Sequence, residues 1–139
     1  MVHCVFIGNF KDKKLKQMAA EFHQRLKRLW PVDVIEMSED DAKISKLIQA
    51  KKGSAVVVSL DAQGEAMDSA AFTKWVTQTP KDVYFFAWGS DGPPKGLSRQ
   101  GMKSLSLSPM TYSHELARVL LMEQLYRAGA TLRGHPYPR

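Results

Sequence analysis

The chain has 139 residues, 20 Lys and Arg against 14 Asp and Glu, a net charge of +6 and a 44% hydrophobic content. That describes one globular domain over residues 1–139 with enough apolar sequence for a core, and it excludes a disordered chain. The basic balance favours a polyanionic partner, and no apolar run approaches the roughly 20 residues that a membrane-spanning helix requires.

The first apolar run is VHCVFIG, which reads as a strand. It contains the only cysteine, Cys4, so no disulfide can form within the chain. A lone thiol with no basic neighbour in sequence reads as strand packing in a reducing compartment. No charged segment precedes a long apolar stretch at the N-terminus, so a secretory signal is not expected and the cytoplasm is the expected location. A helix follows from Lys13 to Trp30, with Leu15, Met18, Ala19, Phe22, Leu26 and Leu29 on one face. Its other face is basic, carrying Lys13, Lys14, Lys16, Arg25, Lys27 and Arg28, with Lys11 just before it. Such a face is ordinarily a solvated one.

VDVIEM alternates as an edge strand does, and Ile44, Leu47 and Ile48 mark a short second helix. SAVVVSL and DVYFFAW are nearly continuous apolar runs, as expected of strands covered on both faces. Between them, Asp68 or Ser69 can cap a helix that buries Phe72, Trp75 and Val76. SLSLS is a weaker fifth strand. Ser113 can cap a final helix running to Arg127 or Ala128, with Gly129 as its stop. That helix is apolar around much of its circumference, so it is either central to the core or buried against a second subunit. Alternating strands and helices predict an α/β fold with a mainly parallel, Rossmann-like sheet. Ligands in such sheets bind beyond the carboxyl ends of the strands, which points to SLDAQG, WGSDGPP and SPMTYSH.

Several chemistries are absent. There is no GxxxxGK[ST] phosphate loop and no GxGxxG after the first strand. His3, His23, His114 and His135 are scattered, without zinc-site spacing, so no metal is expected. The remaining loops are rich in Gly and Ser, suited to wrapping a ligand with backbone groups. The chain ends in HPYPR, where two prolines space an imidazole, a phenol and a guanidinium. Both His135 and Tyr137 precede proline and are biased toward extended backbone, so the segment is a stiff surface tail or a stiff active-site arm.

WGSDG, SLSLSPMTYSHELARVLLMEQLYRA and HPYPR, in this order and spacing, resemble the RlmH family of SPOUT-class methyltransferases. LDAQGEAMDSAAF is similar to a further segment of that family, and the likeness is densest from about Leu60 to Arg139. The resemblance implies a SPOUT fold with a C-terminal trefoil knot, a homodimer, and S-adenosylmethionine as cofactor. The implied activity is methylation of N3 of a pseudouridine in 23S, large-subunit ribosomal RNA in the assembled ribosome. The implied cofactor residues are Leu60, Gly89, Ser108, Pro109, Met110, Thr111, Tyr112 and Ser113, with His135, Tyr137 and Arg139 as catalytic candidates beside the transferred methyl.

With an RNA substrate implied, Lys11, Lys13 and Lys14 become phosphate contacts. His114 and Arg118, one helical turn apart, are either a polar pair at the helix start or side chains positioned for RNA or on the cofactor side. Glu123 reads as structural, with either Arg127 at i+4 or a group across the dimer as its partner. Two positions depart from the family pattern. Trp88 stands where a glycine is usual, and Pro138 where the tail usually has a second histidine. A SPOUT enzyme acting on transfer RNA and a noncatalytic ribosome-binding homologue are the alternatives, and cofactor binding separates the last from the others.

Overall fold

The computed structural model describes residues 1–137. Five parallel strands form one sheet in the order β2-β1-β4-β3-β5, namely β1 (Val2–Ile7), β2 (Val32–Met37), β3 (Ala55–Ala66), β4 (Asp82–Ala87) and β5 (Met102–Ser106). The helices are α1 (Lys13–Leu26), α2 (Asp41–Lys51), α3 (Ser69–Gln78) and α4 (His114–Leu132). The α/β architecture expected from the alternating runs is what forms, and VDVIEM is an edge strand.

Strand alternation divides the core in two. Cys4, Phe6, Val58, Phe85 and Leu105 face α1, α3 and α4, while Val5, Ile7, Val57, Phe86 and Trp88 face α2. Four helix starts are closed by a side chain that accepts backbone amides: Asp12, Asp40, Asp68 and Ser113. α4 lies at the centre of the three-helix face, with no exposed residue between His114 and Ala130. Its apolar circumference is therefore used within the chain.

Three boundaries differ from expectation. α1 ends at Leu26, and the stretch to Trp30 continues as turns, with Trp30 N–H donating to Leu26 O at 2.9 Å. Gly129 does not stop α4. It lets the helix approach α1, since a Cβ there would lie 2.9 Å from Leu26 Cδ1. The stop is Gly134, at φ +68°, where His135 N–H donates to Ala130 O and Gly134 N–H to Thr131 O in a Schellman arrangement. β3 runs past its apolar part to Ala66, and its pairing with β5 breaks register between Leu60 and Glu65. Gly64 sits in that extension, where a Cβ would lie 2.7 Å from the backbone carbon of Ser104.

Since β4 and β5 are parallel, residues 88–101 must return to the other end of the sheet. They do so without a helix, on the α2 side. Leu97 packs into the core there, Lys52 Nζ donates to Ser98 O at 3.0 Å, and Arg99 donates to Ser59 Oγ at 3.1 Å.

Candidate functional site

The carboxyl ends of β3, β4 and β5 surround a cavity of about 190 Å3. Leu60 and Asp61 come from β3, Ala87 from the end of β4 with Trp88 and Gly89 after it, and Leu105 from β5. The loop after β5 contributes Leu107, Ser108, Met110, Thr111 and Tyr112, and the first turn of α4 contributes His114 and Ala117. The loop is shaped by its serines. Ser106 Oγ donates to Ala62 O and Ser108 O, and Ser108 Oγ accepts from Met110 N–H at 3.0 Å. Leu60, Gly89, Ser108, Met110, Thr111 and Tyr112 therefore meet at one place, as expected. Pro109 belongs to the same loop without lining the cavity, and Ser113 instead caps α4, accepting Leu116 N–H at 3.2 Å.

The sequence reading missed Ala87, Leu105, Leu107 and Ala117. Each is a small or aliphatic residue whose only signal was its place at the end of a strand or the start of a helix. Trp88 leaves the cavity open because its indole turns to the α2 side. It stacks on Phe86 at 5.5 Å and donates from Nε1 to Ser59 Oγ at 2.8 Å.

The first turn of α4 ties this region to the exit of β1. Glu115 Oε1 accepts the amides of Lys11 at 2.8 Å and Asp12 at 3.0 Å. Those amides, led by that of Asp12, hold its carboxyl below the usual glutamate range. Arg118 is 1% exposed and donates to Gly8 O at 2.9 Å and to Ile7 O. Its guanidinium lies over the rings of Phe10 and Phe6, at 4.9 and 5.5 Å. Burial lowers its pKa, opposed by Glu115, Glu36 and Glu39. The expected RNA contact at Arg118 does not fit this placement, because a guanidinium buried on two backbone carbonyls is closed to phosphate. His114, by contrast, lines the cavity and remains partly exposed, 3.8 Å from Glu115 Oε2. Lys11, Lys13 and Lys14 are exposed at the start of α1.

The C-terminal arm takes a different course from the one expected. After Gly134 the chain turns back onto α4, and Tyr137 OH donates to Glu123 Oε2 at 2.6 Å. Arg127 donates to the same oxygen at 3.0 Å, and the Tyr137 ring packs on Tyr126 at 4.6 Å. His135 Nδ1 accepts Tyr137 N–H at 3.2 Å. Burial, then the hydrogen bond to Glu123, push the Tyr137 phenol up to about 12. A phenol so held is a donor at neutral pH, not a base. Tyr126 is nine residues beyond Ala117, about 14 Å along the helix axis, so within one chain His135 and Tyr137 do not join the cavity. Arg139 and Pro138 lie outside the described residues.

The cavity's chemistry suits a cationic, partly apolar ligand. Neither Lys nor Arg lines it, its walls are largely aliphatic, and Asp61 is its one carboxylate. Such a lining fits a sulfonium carried on a nucleoside. Among the described residues, no group of three or more His, Cys, Asp or Glu is placed to hold a metal ion. No helix there is long and apolar enough to cross a membrane.

Comparison with known proteins agrees with this geometry. A family model described as a predicted SPOUT methyltransferase matches residues 1–138. A ribosomal RNA large subunit methyltransferase H of Sorangium cellulosum is 37% identical over 136 residues, covering 94% of both chains. Its namesake in Gemmatimonas aurantiaca is 33% identical over 150 residues, covering 98% of this chain and 97% of its own. In fold, the chain is similar to a solved Bacillus anthracis structure assigned as an RNA methyltransferase, with a TM-score of 0.57, 15% identity and full coverage of both chains. With a family match over nearly its whole length and relatives of one kind at this level of identity, the chain belongs to the SPOUT methyltransferase family, among the large-subunit methyltransferases of the RlmH type.

Proposed function

We propose that this protein transfers the methyl group of S-adenosylmethionine to N3 of a pseudouridine in large-subunit ribosomal RNA, acting as a homodimer on the assembled ribosome. The observation that carries this reading is the cavity at the ends of β3, β4 and β5, which gathers Leu60, Gly89, Ser108, Met110, Thr111 and Tyr112 and carries no cation on its walls. The relatives' names supply the class of substrate. The net charge of +6 and the exposed Lys11, Lys13 and Lys14 suit an RNA surface. The compartment is the one that holds ribosomes, the cytoplasm.

When bound, S-adenosylmethionine supplies an electrophilic methyl on a sulfonium. The aliphatic walls from Leu60, Leu105, Leu107 and Ala117 exclude water, and the Ser108–Thr111 loop presents backbone groups that orient the donor. Transfer forms the N3–carbon bond, breaks the sulfur–carbon bond, releases the N3 proton and leaves a neutral thioether. The protein's work is alignment and help with that proton. His114, on the cavity wall, is placed to act on the acceptor. The arm of one chain rests on the far half of its own α4, so His135, Tyr137 and Arg139 would reach a donor cavity across a subunit boundary. Met110 and Tyr112, 72% and 40% exposed beside the cavity, give such a boundary apolar surface. The whole chain serves as one domain, and the close crossing of β3 over β5 at Gly64 is compatible with the threaded path expected of the family.

The test is methyl transfer from labelled S-adenosylmethionine to intact ribosomes that lack the modification, with mass spectrometry to locate the product. A methylpseudouridine in the large-subunit RNA is the expected result. No transfer with cofactor bound would redirect the reading to another RNA, and no cofactor binding would make the chain a noncatalytic homologue.

A further inference from the structure

Between Ala87, the last residue of β4, and Met102, the first of β5, the return segment 88–101 contains no helix or strand. A connection of that length without regular structure is uncommon in a compact domain, and where it is ordered it usually serves a site. Its backbone hydrogen bonds are local turns, from Gly92 N–H to Gly89 O and from Leu97 N–H to Pro94 O. Turns of that kind do not fix where a segment lies against a sheet. Side chains do so here. Trp88 is the first residue of the segment, and Arg99 stands three residues before β5. Both donate to Ser59 Oγ, at 2.8 and 3.1 Å. Among the described residues, these are the only hydrogen bonds by which side chains of the segment reach the rest of the chain.

Ser59 is fully buried within β3. A hydroxyl oxygen has two lone pairs, and each of them meets one of these donors. One atom therefore fastens both ends of the return segment. That atom lies directly behind the donor cavity. Leu60 and Asp61 follow Ser59 along β3, Gly89 follows Trp88, and all four of these neighbours line the cavity. Arg99 also faces Asp61, with its second terminal nitrogen 3.9 Å from Oδ2, while Asp61 Oδ1 accepts Gln63 N–H at 3.0 Å. Trp88 occupies a position where the family has a glycine, and a glycine has no side chain with which to make this bond.

We infer that Ser59 and Arg99, together with the Trp88 indole, are positioning residues for the methyl donor: one buried hydroxyl pins both ends of the return segment and so fixes the Gly89 and Asp61 walls of the donor cavity. The inference rests on the methyltransferase reading and adds groups that act on the cofactor seat from behind. With either donor removed, one end of the segment is loose in the free protein. Cofactor binding must then order it, and that cost appears as lost affinity. The losses share one acceptor, so they do not add once the acceptor itself is gone.

Full-length variants test this. Ser59→Ala removes the shared acceptor, Trp88→Phe keeps a ring against Phe86 without the N–H, and Arg99→Met removes a donor from a half-exposed side chain. The Kd of S-adenosylmethionine is measured by calorimetry well below each variant's melting temperature, which is recorded alongside. Trp88→Phe and Arg99→Met should each raise Kd about fivefold, on the order of one hydrogen bond, and Ser59→Ala about tenfold. Arg99→Lys, which keeps a donor and its charge, should stay within about twofold of the wild type, and Arg99→Met added to Ser59→Ala should change Kd by less than about twofold. A lowered melting temperature with Kd unchanged in Ser59→Ala and Arg99→Met overturns this inference alone, by making the contact a matter of stability only. An Arg99→Met effect that persists in full without the Ser59 hydroxyl overturns it too. Should Ser59→Ala fail to fold, Arg99→Met against Arg99→Lys decides, and equal affinities in that pair overturn it. A wild-type protein that binds no S-adenosylmethionine overturns the methyltransferase reading, and this inference with it.

Discussion

At the scale of single residues, the turn His114–Arg118 shows how one helix start serves both fold and site. His114 faces the donor cavity, while Glu115 and Arg118 fasten the exit of β1. Arg118 and His114 share a helical spacing that the sequence displays, but their different fates depend on Phe6, Phe10 and two carbonyls that are more than 100 residues away. Arg118→Met should cost about 3 kcal/mol, because two carbonyls lose their donor. Thermal or denaturant unfolding would show it, and RNA affinity per folded molecule should be unchanged. Tyr137 is the other case. Its raised pKa means the neutral phenol is favoured in the folded arm, so the anchoring to Glu123 is complete below the ordinary tyrosine pKa and is lost as pH climbs toward 12. An absorbance titration should show one phenolate component rising near pH 12, absent in Tyr137→Phe and shifted down in Glu123→Gln.

At the scale of elements, the strands were legible because their apolar runs are long and the chain alternates strand and helix, and two helix starts were legible because Asp68 and Ser113 cap them, while the caps Asp12 and Asp40 went unread. The ends were less so. Gly129 carries the signature of a helix stop, yet its hydrogen serves the contact with Leu26 and Trp30, and the stop falls five residues later at Gly134. The extension of β3 is polar, DAQGE, and gives no strand periodicity, since its pairing comes from β5 rather than from burial. Half of the cavity was legible from the family's motifs. The other half, such as Ala87 and Ala117, was silent because an alanine on a wall looks like an alanine in a core. Gly64 connects the two levels. Gly64→Ala would force the β3 extension off the Ser104–Leu105 backbone, at a cost of about 1–3 kcal/mol. A lowered melting temperature together with weakened cofactor binding is the expected pairing.

At the scale of the molecule, the three-helix face and the α2 face do unequal work. The first builds the core around α4, and the second accommodates the return of the chain from β4 to β5. Charge is also unequally placed, since the start of α1 brings Lys11, Lys13 and Lys14 to the same end of the sheet as the donor cavity. Lys13→Glu with Lys14→Glu should weaken ribosome binding and flatten its dependence on salt, while cofactor affinity holds. Binding measured from low to high ionic strength would decide it, and an unchanged slope would make this face solvent cover.

The bonds from Arg118 to the carbonyls of residues 7 and 8 span about 110 positions of sequence. The order of assembly follows from that span. As the chain emerges N-terminus first, β1 is synthesised early but its exit stays unfastened until α4 appears. The donor cavity, which needs both Leu60 and Ala117, closes no sooner. Loop closure over such a distance is slow and falls late. A nascent chain stopped before α4 would hold strands but no complete donor cavity, and the protein would gain its cofactor-binding capacity in a single late step rather than by degrees.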